Sequence, residues 1–486
     1  MLKFDIDKKP NKGIISGDEF NLIRERFSVE NPAAKFSRYS RRMPFRKYVI
    51  TPAGRFDIGL YYDFAKYIKT TMTGVKVEKT EAFINRVKPV KKAKPTPLKL
   101  NLRDYQESIV NTCITLGRGV VVLATAGGKT LTMASLIQAY YNMSNKQQFT
   151  CLVIVPDIGL VNQTNSDFQE YGVSFSHCKW SGNNQLNLQC NVIVCNMGIL
   201  QSKKSDLSFL PHVDLLVIDE VHKLRSGNKI NKILDKIETT SRFGFTGTMP
   251  ENKEDQWNVI GKIGPILYTK NSYELREEDY IAPAKVLVLR LRYQNYQPEY
   301  GYDHNFNPLK KYKEELEYLH TSKFRNEIIK RLCMNFNNNA LLLVDYIDHG
   351  KLLHANLSTT LKDKQVYFIR GDMEIDEREK IRKLMEKSNN IVCVAISKIF
   401  STGINIKNLH YIMFCSGGKA KVKIIQSIGR GLRQHKSKTL LKIIDIADQL
   451  RYGKQHMKKR VQLYDEENFK YEYKTVEQKN HSAEKG

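Results

Sequence analysis

Residues 119–130 read GVVVLATAGGKT, and the helical stretch LTMASLIQAYY follows at 131–141. The apolar run predicts a buried strand, and a strand, a glycine-containing turn and a helix in this order are typical of a parallel α/β sheet. The turn fits the pattern of a phosphate-binding loop, except that Leu123 occupies the place of its first glycine. A strand–turn–helix unit without a ligand is the alternative, so further parts of a nucleotide site are expected along the chain.

The segments around this stretch extend its pattern into two series. Between residues 98 and 282, the apolar runs VVVLA, LVIVP, VIVC, LLVID and FGFTG alternate with helix-length segments, which predicts a parallel sheet with helices on both faces. The runs KVLVLRL, ALLLVD, VYFI, IVCVA, YIMFC and LLKIID predict a second α/β domain over 283–486. Residues 1–90 lack this rhythm and are predicted to form a small basic α+β domain, joined by a basic linker at 91–97.

Composition narrows the class of protein. The chain has 78 Lys and Arg against 51 Asp and Glu, a formal net charge of +27, and nucleic acid is the commonest polyanionic partner of so basic a chain. It has no apolar run of about 18 residues and its N-terminus, MLKFDIDKKPNK, lacks the apolar segment of a secretory signal, so we expect no membrane contact and a cytoplasmic protein. The eight cysteines occur singly and predict buried reduced thiols rather than a zinc site.

The turn could hold phosphate through its backbone and two side chains. The small residues Ala126, Gly127 and Gly128 allow the backbone to curl around a β-phosphate at the N-terminus of the following helix. The Lys129 ammonium would reach the β- and γ-phosphate oxygens, and the Thr130 hydroxyl would ligate Mg²⁺. These residues form the candidate binding site for a nucleotide and its magnesium ion.

A pair of carboxylates follows an apolar strand further along the chain, in LLVIDEVH at 215–222. The carboxyl ends of parallel strands meet at one sheet edge, so Asp219 and Glu220 are expected beside the phosphate-binding turn. Asp219 would hold Mg²⁺, and Glu220 would orient and deprotonate the attacking water. An acidic turn after a strand is the alternative, but its occurrence together with the turn at 123–130 favours the catalytic interpretation.

The second predicted domain contains QSIGRGLR at 426–433. Arg430 and Arg433 are three residues apart and would share one helix face, from which they could reach a γ-phosphate as arginine fingers. A solvated basic helix face is the alternative, but it does not explain why Gln426 and Gly429 accompany both arginines. We therefore interpret Arg430 and Arg433 as catalytic.

The order of these motifs resembles that of superfamily 2 helicases. DEVH, TGT and QSIGRGLR follow the phosphate-binding turn in sequence, and the resemblance covers about residues 98–450. It is strongest to the phage UvsW-type branch-migrating helicases, in which a leucine likewise opens the phosphate-binding loop. The resemblance implies two tandem RecA-like domains that clamp ATP and Mg²⁺ between them. It also implies an enzyme that couples ATP hydrolysis to movement on DNA, in the host cytoplasm if the chain is phage-encoded.

Some cofactor contacts follow only from this resemblance. LRDYQ is similar to the Q motif, which implies that Gln106 reads the adenine and that Arg103 is a further nucleotide-binding candidate. IFSTGINIKN is similar to motif V, which implies nucleotide contacts for Gly403 and Asn405.

The resemblance also implies a link between hydrolysis and movement. His222 of DEVH would couple the ATP site to Thr246 and Thr248 of FTGTMP, which resembles motif III. Gln426 opens motif VI where DEAD-box RNA helicases have a histidine, which argues against RNA unwinding. The implied catalytic residues are Lys129, Glu220, His222, Gln426, Arg430 and Arg433.

The implied nucleic-acid track crosses both domains. Pro156 and Gln163 lie in IVPDIGLVNQ, which resembles motif Ia, and Ser397 lies just before motif V. Asn196 stands where motif Ic usually has a threonine. Contacts from such residues grip phosphates, so we expect little sequence specificity.

The N-terminal region holds a second candidate surface, KFSRYSRRMPFRKY at 35–48. Cations interleaved with aromatics suit phosphate contact and base stacking, and UvsW-type proteins have a small DNA-binding domain in this place. A half-buried strand with solvated cations is the alternative. A chain starting near Lys91 is expected to fold, because both predicted sheets are complete. The candidate DNA contacts of this stretch are Lys35, Arg38, Arg41, Arg42 and Arg46.

These features predict an ATP-dependent DNA helicase or translocase that acts as a monomer on forked, junction or duplex DNA. Two alternatives stay open. One is a duplex translocase without strand separation, similar to restriction-enzyme motor subunits. The other is an ATP-gated nucleic-acid clamp with negligible turnover, which the complete set of Glu220, Arg430 and Arg433 disfavours.

Overall fold

The protein has two sheet-containing units. The computed structural model describes residues 1–31, 34, 44–87, 97–144, 146, 148–182, 184–294, 296, 308–400, 406–416, 428–429, 431–432, 435 and 437–479. The chain divides into one compact unit made of residues 1–124 and 128–270, and another made of 271–486 and 125–127. Each unit contains a seven-stranded sheet. The predicted fold class, two tandem RecA-like parallel-sheet domains with a small N-terminal α+β region, is confirmed.

The N-terminal region of the first unit is a small mixed sheet with helices. Its elements are β1 (Leu2–Ile6), β2 (Lys12–Gly17), α1 (Phe20–Arg26), β3 (Ser28–Glu30), β4 (Arg46–Tyr48), β5 (Arg55–Asp57), α2 (Tyr61–Thr71), β6 (Val77–Lys79) and α3 (Glu81–Val87). The sheet order is β5-β2-β1-β6, in which only β1 and β6 are parallel. β3 and β4 form a separate antiparallel pair.

Aromatic rings fill the core of this region. In β1 the alternation of apolar and charged residues buries Leu2 and Phe4 on one face. The Phe4 ring lies 6.0 Å from Phe56, 5.3 Å from Tyr61 and 5.5 Å from Phe83 between centroids. The contacts of Phe4 with Phe56 and Tyr61 are edge-to-face, an arrangement that stabilises a small core beyond the burial of area alone.

The N-terminal region shares a buried polar interface with the sheet that follows. The Lys262 ammonium, 4% exposed, lies 3.0 Å from Asp57 Oδ1 and 2.6 Å from Asp235 Oδ1. Arg118, 2% exposed, donates from Nη2 to Asn11 Oδ1 at 2.9 Å. Removing the N-terminal region would take Asp57 from Lys262 and Asn11 from Arg118, and leaving a buried cation less well compensated is costly. The structure therefore argues against the expectation that a chain starting near Lys91 folds.

The parallel sheet of the first unit is buried between helices. Its elements are α4 (Asp104–Leu116), β7 (Arg118–Leu123), α5 (Lys129–Met143), β8 (Cys151–Val155), α6 (Ile158–Tyr171), β9 (His177–Trp180), β10 (Val192–Asn196), α7 (Met197–Leu200), β11 (Leu215–Asp219), α8 (Lys229–Leu234), β12 (Arg242–Thr246), α9 (Lys253–Lys262) and β13 (Ile266–Lys270). The order is β13-β7-β12-β11-β8-β10-β9, with every pair parallel. All carboxyl ends therefore lie at one edge.

The second unit repeats this architecture. Its elements are α10 (Ser272–Glu277), β14 (Ala284–Arg292), α11 (Pro308–Thr321), α12 (Lys323–Met334), β15 (Ala340–Val344), α13 (Ile347–Thr360), β16 (Gln365–Ile369), α14 (Ile375–Lys387), β17 (Ile391–Ile396), α15 (Ser397–Phe400), β18 (Tyr411–Phe414), β19 (Leu441–Asp448), α16 (Arg451–Glu466) and β20 (Lys470–Glu477). The order is β16-β17-β15-β18-β19-β14-β20, again with parallel pairs.

The cysteines lie within or beside these elements as free thiols. Six of the eight are buried, and Cys178 and Cys190 are partly buried. Among the described residues, no group of three or more His, Cys, Asp and Glu is placed to hold a metal ion. No described helix is both long and apolar enough to cross a bilayer.

Candidate active site

Strand register brings the phosphate-binding turn and the DEVH motif to one edge of the first sheet. β12 lies between β7 and β11. Thr246 at the end of β12 pairs with Val122 of β7, and Asp219 at the end of β11 pairs with Phe245. The turn after β7, the carboxylates after β11 and motif III after β12 therefore start from neighbouring strand ends, as predicted.

The conformation of the turn explains why it can lack its first glycine. Leu123 is fully buried at the end of β7, where it pairs with Lys270 of β13. This position is extended strand and needs no glycine. The backbone reverses later, at Ala126 (φ 70°) and Gly128 (φ 81°). The backbone angles at Gly128 favour glycine, and a Cβ there would also displace the amide group of Gln106, whose Nε2 lies beside it.

Gln106, the predicted adenine reader, lies beside this turn. Gln106 is buried in the first turn of α4, and its Oε1 accepts a hydrogen bond from the Arg103 amide at 2.9 Å. The Arg103 guanidinium donates to the Tyr105 hydroxyl at 3.1 Å. The contact of Gln106 with Gly128 joins the Q motif to the phosphate-binding turn, which are far apart in sequence.

Lys129 and Thr130 open helix α5. The first backbone N–H groups of a helix have no partner within it, so this end can bind an anion. The Lys129 ammonium lies 3.7 Å from Glu220 Oε1. The candidate phosphate cation and the candidate general base are thus in direct contact.

Glu220 is held in a strained turn. Its backbone has φ 50° and ψ 47°, in the left-handed region that few side-chain-bearing residues adopt. Its amide donates to Asp219 Oδ1 at 2.9 Å, and its Oε2 lies 3.2 Å from His222 Nδ1. The turn thereby places both carboxylates at the sheet edge within reach of the start of α5.

The two neighbouring carboxylates have opposite pKa shifts. Burial, together with the adjacent Glu220 charge, raises the pKa of Asp219 above its ordinary value. Burial alone would also raise the pKa of Glu220, but the Lys129 ammonium and the hydrogen bond from His222 outweigh it and lower that pKa. Glu220 is therefore the ionised acceptor at neutral pH. Opposite shifts in a close pair are typical of sites that divide two roles between two acids.

His222 connects this pair to motif III. Its Nδ1 lies 2.8 Å from Thr246 Oγ1, and Thr246 Oγ1 donates to the Thr248 carbonyl at 2.8 Å. Met249, the next residue, packs against both the first sheet's core and the N-terminal core. The structure thus brings together the residues predicted to couple hydrolysis to movement, while the coupling role itself stays a prediction.

The predicted motif Ia and Ic residues also meet at the carboxyl edge. Asn196, at the end of β10, pairs with Val155 of β8, so Pro156 directly follows its partner. Gln163 lies further along α6. Asn196 Oδ1 and Gln163 Oε1 are buried, and within the described part of the chain neither has a hydrogen-bond partner. Unsatisfied buried oxygens at one edge are consistent with a site that is completed by a ligand or by water.

The two remaining described DNA-contact candidates are engaged within their own units. The Ser397 hydroxyl is buried and donates to the Val344 carbonyl at 2.9 Å, so its proton is committed to the backbone. Arg46 donates from Nε to Ser28 Oγ at 2.9 Å and lies 3.8 Å from Glu25 Oε2. Predicted site residues that lie outside the described residues are Lys35, Arg38, Arg41, Arg42, Gly403, Asn405, Gln426, Arg430 and Arg433.

Sequence reasoning missed one cation at this edge. Lys270 ends β13 beside Leu123, and its ammonium lies 5.1 Å from the Tyr105 ring. The residue is 9% exposed, so its charge is held close to the Q motif and the phosphate-binding turn. The sequence did contain a signal for this residue, because Lys270 ends the short run ILYTK. The run was not recognised as a strand, since it lacks the continuous apolar character of the central strands.

Comparison with known proteins agrees with this geometry. Residues 99–251 match the family model "Type III restriction enzyme, res subunit", and residues 323–435 match "Helicase conserved C-terminal domain". The ATP-dependent DNA helicase uvsW of Enterobacteria phage T4 is 28% identical over 400 residues, covering 76% of this chain and 76% of that protein. The putative ATP-dependent helicase IRC3 of Saccharomyces cerevisiae is 24% identical over 397 residues, covering 77% of this chain and 55% of that protein.

A solved structure has the same fold. The ATP-dependent type ISP restriction-modification enzyme LlaBIII bound to DNA aligns with a TM-score of 0.57 and 14% identity over 84% of this chain and 34% of that chain. Together, these comparisons confirm the resemblance drawn from the motifs and the class of enzyme that it implied.

Proposed function

The chain belongs to the superfamily 2 DNA helicases, and we propose that it uses ATP to unwind or branch-migrate forked and junction DNA. Such an activity would serve recombination, repair and the remodelling of replication forks. The observation that carries the proposal is the set of Lys129, Glu220, His222 and Thr246 at one sheet edge, linked by contacts of 3.7, 3.2 and 2.8 Å. The similarity to a phage DNA helicase over 76% of both chains supports the substrate class.

The residues at the sheet edge fit ATP and Mg²⁺. Gln106 occupies the space beside Gly128 where a Cβ would lie. The side chains at this sheet edge provide an ammonium group, a hydroxyl group and two carboxylates, which are the groups that phosphate and Mg²⁺ need. When bound, ATP supplies a phosphoryl group that water can attack, and Mg²⁺ offsets the charge that develops on it. The residues that would hold the nucleotide are Arg103, Gln106, Ala126, Gly127, Gly128 and Lys129, with Thr130 and Asp219 at the metal and Gly403 and Asn405 contributed by motif V.

Lys129 controls the basicity of Glu220 in this scheme. In the structure the Lys129 ammonium lies 3.7 Å from Glu220 Oε1 and helps to lower the pKa of the carboxyl. Phosphate oxygens would draw the ammonium away, since they carry more charge than one carboxylate. Glu220 would then become a stronger base when it is needed to accept a proton from the attacking water. Arg430 and Arg433 would stabilise the charge on the γ-phosphate, with Gln426 beside them.

Hydrolysis would be transmitted through motif III. A change at Glu220 alters its contact with His222, and His222 is bonded to Thr246. Thr246 holds the turn that leads to Thr248 and Met249. Met249 packs on the N-terminal core, so this path reaches the region that carries the cation–aromatic stretch at 35–48.

DNA would be gripped mainly through its phosphates. Pro156, Gln163 and Asn196 would form part of the track on the first unit, and Ser397 would mark it on the second. The N-terminal stretch at 35–48 would hold the branched part of the substrate by phosphate contact and stacking. We propose that the protein works as a monomer.

A panel of nucleic acids tests this function. ATP hydrolysis and strand separation are measured with single-stranded, duplex, forked and four-way DNA, with RNA alongside. The proposal expects forked and four-way DNA to stimulate hydrolysis and to yield separated or migrated products. Equal stimulation by all DNAs without any strand product would contradict it.

The alternative of duplex translocation without strand separation keeps some support. Residues 99–251 match the family model of the type III restriction enzyme res subunit. A pure translocase would displace a triplex-forming oligonucleotide from linear duplex DNA while leaving forks intact. Triplex displacement measured beside fork unwinding separates the two candidates.

A further inference from the structure

We propose that the exposed face of α16 binds the phosphate backbone of duplex DNA. This inference rests on the proposed function, and it adds a contact on the second unit outside the predicted motif-based track. Lys454, Lys458 and Lys459 are all exposed on this helix, while Met457 and Tyr464 are buried on its opposite side. At about 100° per residue, the three lysines share one broad face.

The opposite face fixes the direction in which these lysines point. Arg460 Nη2 lies 2.6 Å from Asp445 Oδ1, and the Tyr464 hydroxyl donates to Asp445 Oδ2 at 2.9 Å. At the start of the helix the Gly453 amide donates to Glu315 Oε1 at 2.8 Å. The helix is therefore fixed by buried polar contacts along its length, and its cations are presented to solvent.

In neighbouring helices of the same unit, cationic side chains have acidic partners within the helix. These helices place a carboxylate one turn away from a partly or fully exposed Lys or Arg, which neutralises it locally. These pairs are Lys311–Glu314 at 3.1 Å in α11, Arg331–Glu327 at 3.1 Å in α12, Lys351–Asp348 at 3.8 Å in α13 and Arg382–Glu379 at 2.8 Å in α14.

The lysines of α16 lack such neighbours. The sequence places no Asp or Glu three or four residues from Lys454, Lys458 or Lys459, and the neutral Gln455 and Gln462 occupy such positions around Lys458 and Lys459. Lys454 and Lys458 are instead four residues apart, a spacing at which like charges repel. A polyanion bound to this face would offset the repulsion between the lysines. Its binding would therefore stabilise the helix, which is already anchored on its other side.

The position of the helix favours DNA as that polyanion. α16 begins just after β19, at the carboxyl edge of the second sheet, where Ser397 follows β17. β17 and β19 are separated by β15 and β18, a distance of about 14 Å across three strand spacings. The basic face of α16 therefore begins near the predicted DNA track and extends away from it. A duplex arm of the DNA substrate could follow the same direction.

The test uses the full-length protein with Lys454, Lys458 and Lys459 changed together to Gln. Glutamine has a helix propensity close to that of lysine, so the helix is kept while the charge is removed. Binding to a forked duplex is measured by fluorescence anisotropy across a salt series. We expect several-fold weaker binding, and a log–log salt slope smaller by about 0.9 for each DNA phosphate that the helix no longer neutralises.

A matched variant controls for bulk charge. Lys380, Lys383 and Lys387 of α14, changed together to Gln, remove the same charge from a helix that also carries Asp376, Glu377, Glu379 and Glu386. The proposal requires the α14 variant to keep the parent slope and the maximal ATPase rate with saturating DNA to be unchanged in both. An equal reduction of the slope in both variants, or an unchanged slope in the α16 variant, overturns it. A parent protein that hydrolyses ATP without any response to DNA would instead overturn the proposed function.

Discussion

The Lys129 ammonium lies 3.7 Å from Glu220 Oε1, and both side chains are mostly buried, at 12% and 16% exposure. The cation expected to meet phosphate and the carboxylate expected to accept a proton therefore form an ion pair with each other. Each can take up its role only when a phosphate competes for the ammonium. Substitution of either member should therefore impair hydrolysis, but the two substitutions should differ in their effect on ATP binding.

Lys129→Ala should abolish ATP hydrolysis and weaken ATP binding, because the turn loses its cation. Glu220→Gln should keep ATP binding but slow turnover by at least ~100-fold, the usual scale for loss of a general base. Steady-state ATPase rates and binding of a fluorescent ATP analogue measure the two effects separately. Parent-like turnover in Glu220→Gln would remove Glu220 from the catalytic role.

The arginines of QSIGRGLR should act on the rate rather than on affinity. Changing Arg430 or Arg433 to Ala should lower kcat by roughly 10³-fold, with a smaller effect on nucleotide binding, because arginine fingers stabilise charge that develops during transfer. Single-turnover hydrolysis beside nucleotide titration checks this. Equal losses in rate and affinity would point to a structural role.

A buried histidine pair predicts acid sensitivity of the second unit. His349, 2% exposed, stacks on His320 at 4.4 Å between centroids. Burial, with the nearby Arg325 charge, lowers the pKa of His349 to about 2 and that of His320 to about 4, from 6.5. Below pH 6.5 both histidines become protonated in the unfolded chain, whereas in the folded protein they stay neutral until the pH approaches their lowered pKa values. The stability from these groups is therefore complete above pH 6.5 and falls as the pH drops, by about 1.4 kcal/mol per pH unit for His349.

The measurement is the melting temperature between pH 7.5 and pH 5, as compared in the parent and in His349→Gln. The Gln side chain can still accept from Arg325, as His349 Nε2 does at 3.5 Å. The variant should lose less stability on acidification than the parent. Identical pH profiles would show that the pair does not control this loss.

The shared interface predicts that the N-terminal region cannot simply be removed. A chain starting near Lys91 should be unstable or insoluble, because Lys262 loses Asp57 and Arg118 loses Asn11. Asp57→Asn in the full-length chain should lower the melting temperature in the same direction, since it leaves Lys262 less well compensated. A truncated chain that melts like the parent would contradict this.

The DNA-binding role of the same region is better tested by point changes. Arg41→Glu with Arg42→Glu should weaken binding to a four-way junction and reduce its salt slope, without changing ATP affinity. Fluorescence anisotropy across a salt series measures both quantities. An unchanged affinity and slope would mean that the stretch at 35–48 serves the core and surface of the region.

The central strands and their motifs were predictable because continuous apolar runs mark strands buried on both faces. β8, β11 and β17 are buried at every residue, and each was found. The missed strands β9, β13 and β20 lie at sheet edges, where partly exposed side chains break up the apolar run. The order of motifs on one sheet edge followed from the rule for parallel strands.

The contacts between distant segments could not be predicted in the same way. Lys262 and Asp57 are 205 residues apart, and neither lies in a pattern that distinguishes it from a solvated charge. The position of the Gln106 side chain against Gly128 likewise depends on how α4 packs beside the phosphate-binding turn. Such contacts follow from the tertiary arrangement, which a single sequence does not encode locally.

The conversion of a labelled four-way junction into duplex products, followed over time with ATP, tests the central claim most directly. The parent protein should convert the junction only with ATP and Mg²⁺, and Glu220→Gln should bind the junction but convert it at least ~100-fold more slowly. If the parent hydrolyses ATP in response to the junction yet leaves its strands unmoved, the claim that hydrolysis at this sheet edge drives branch migration is contradicted.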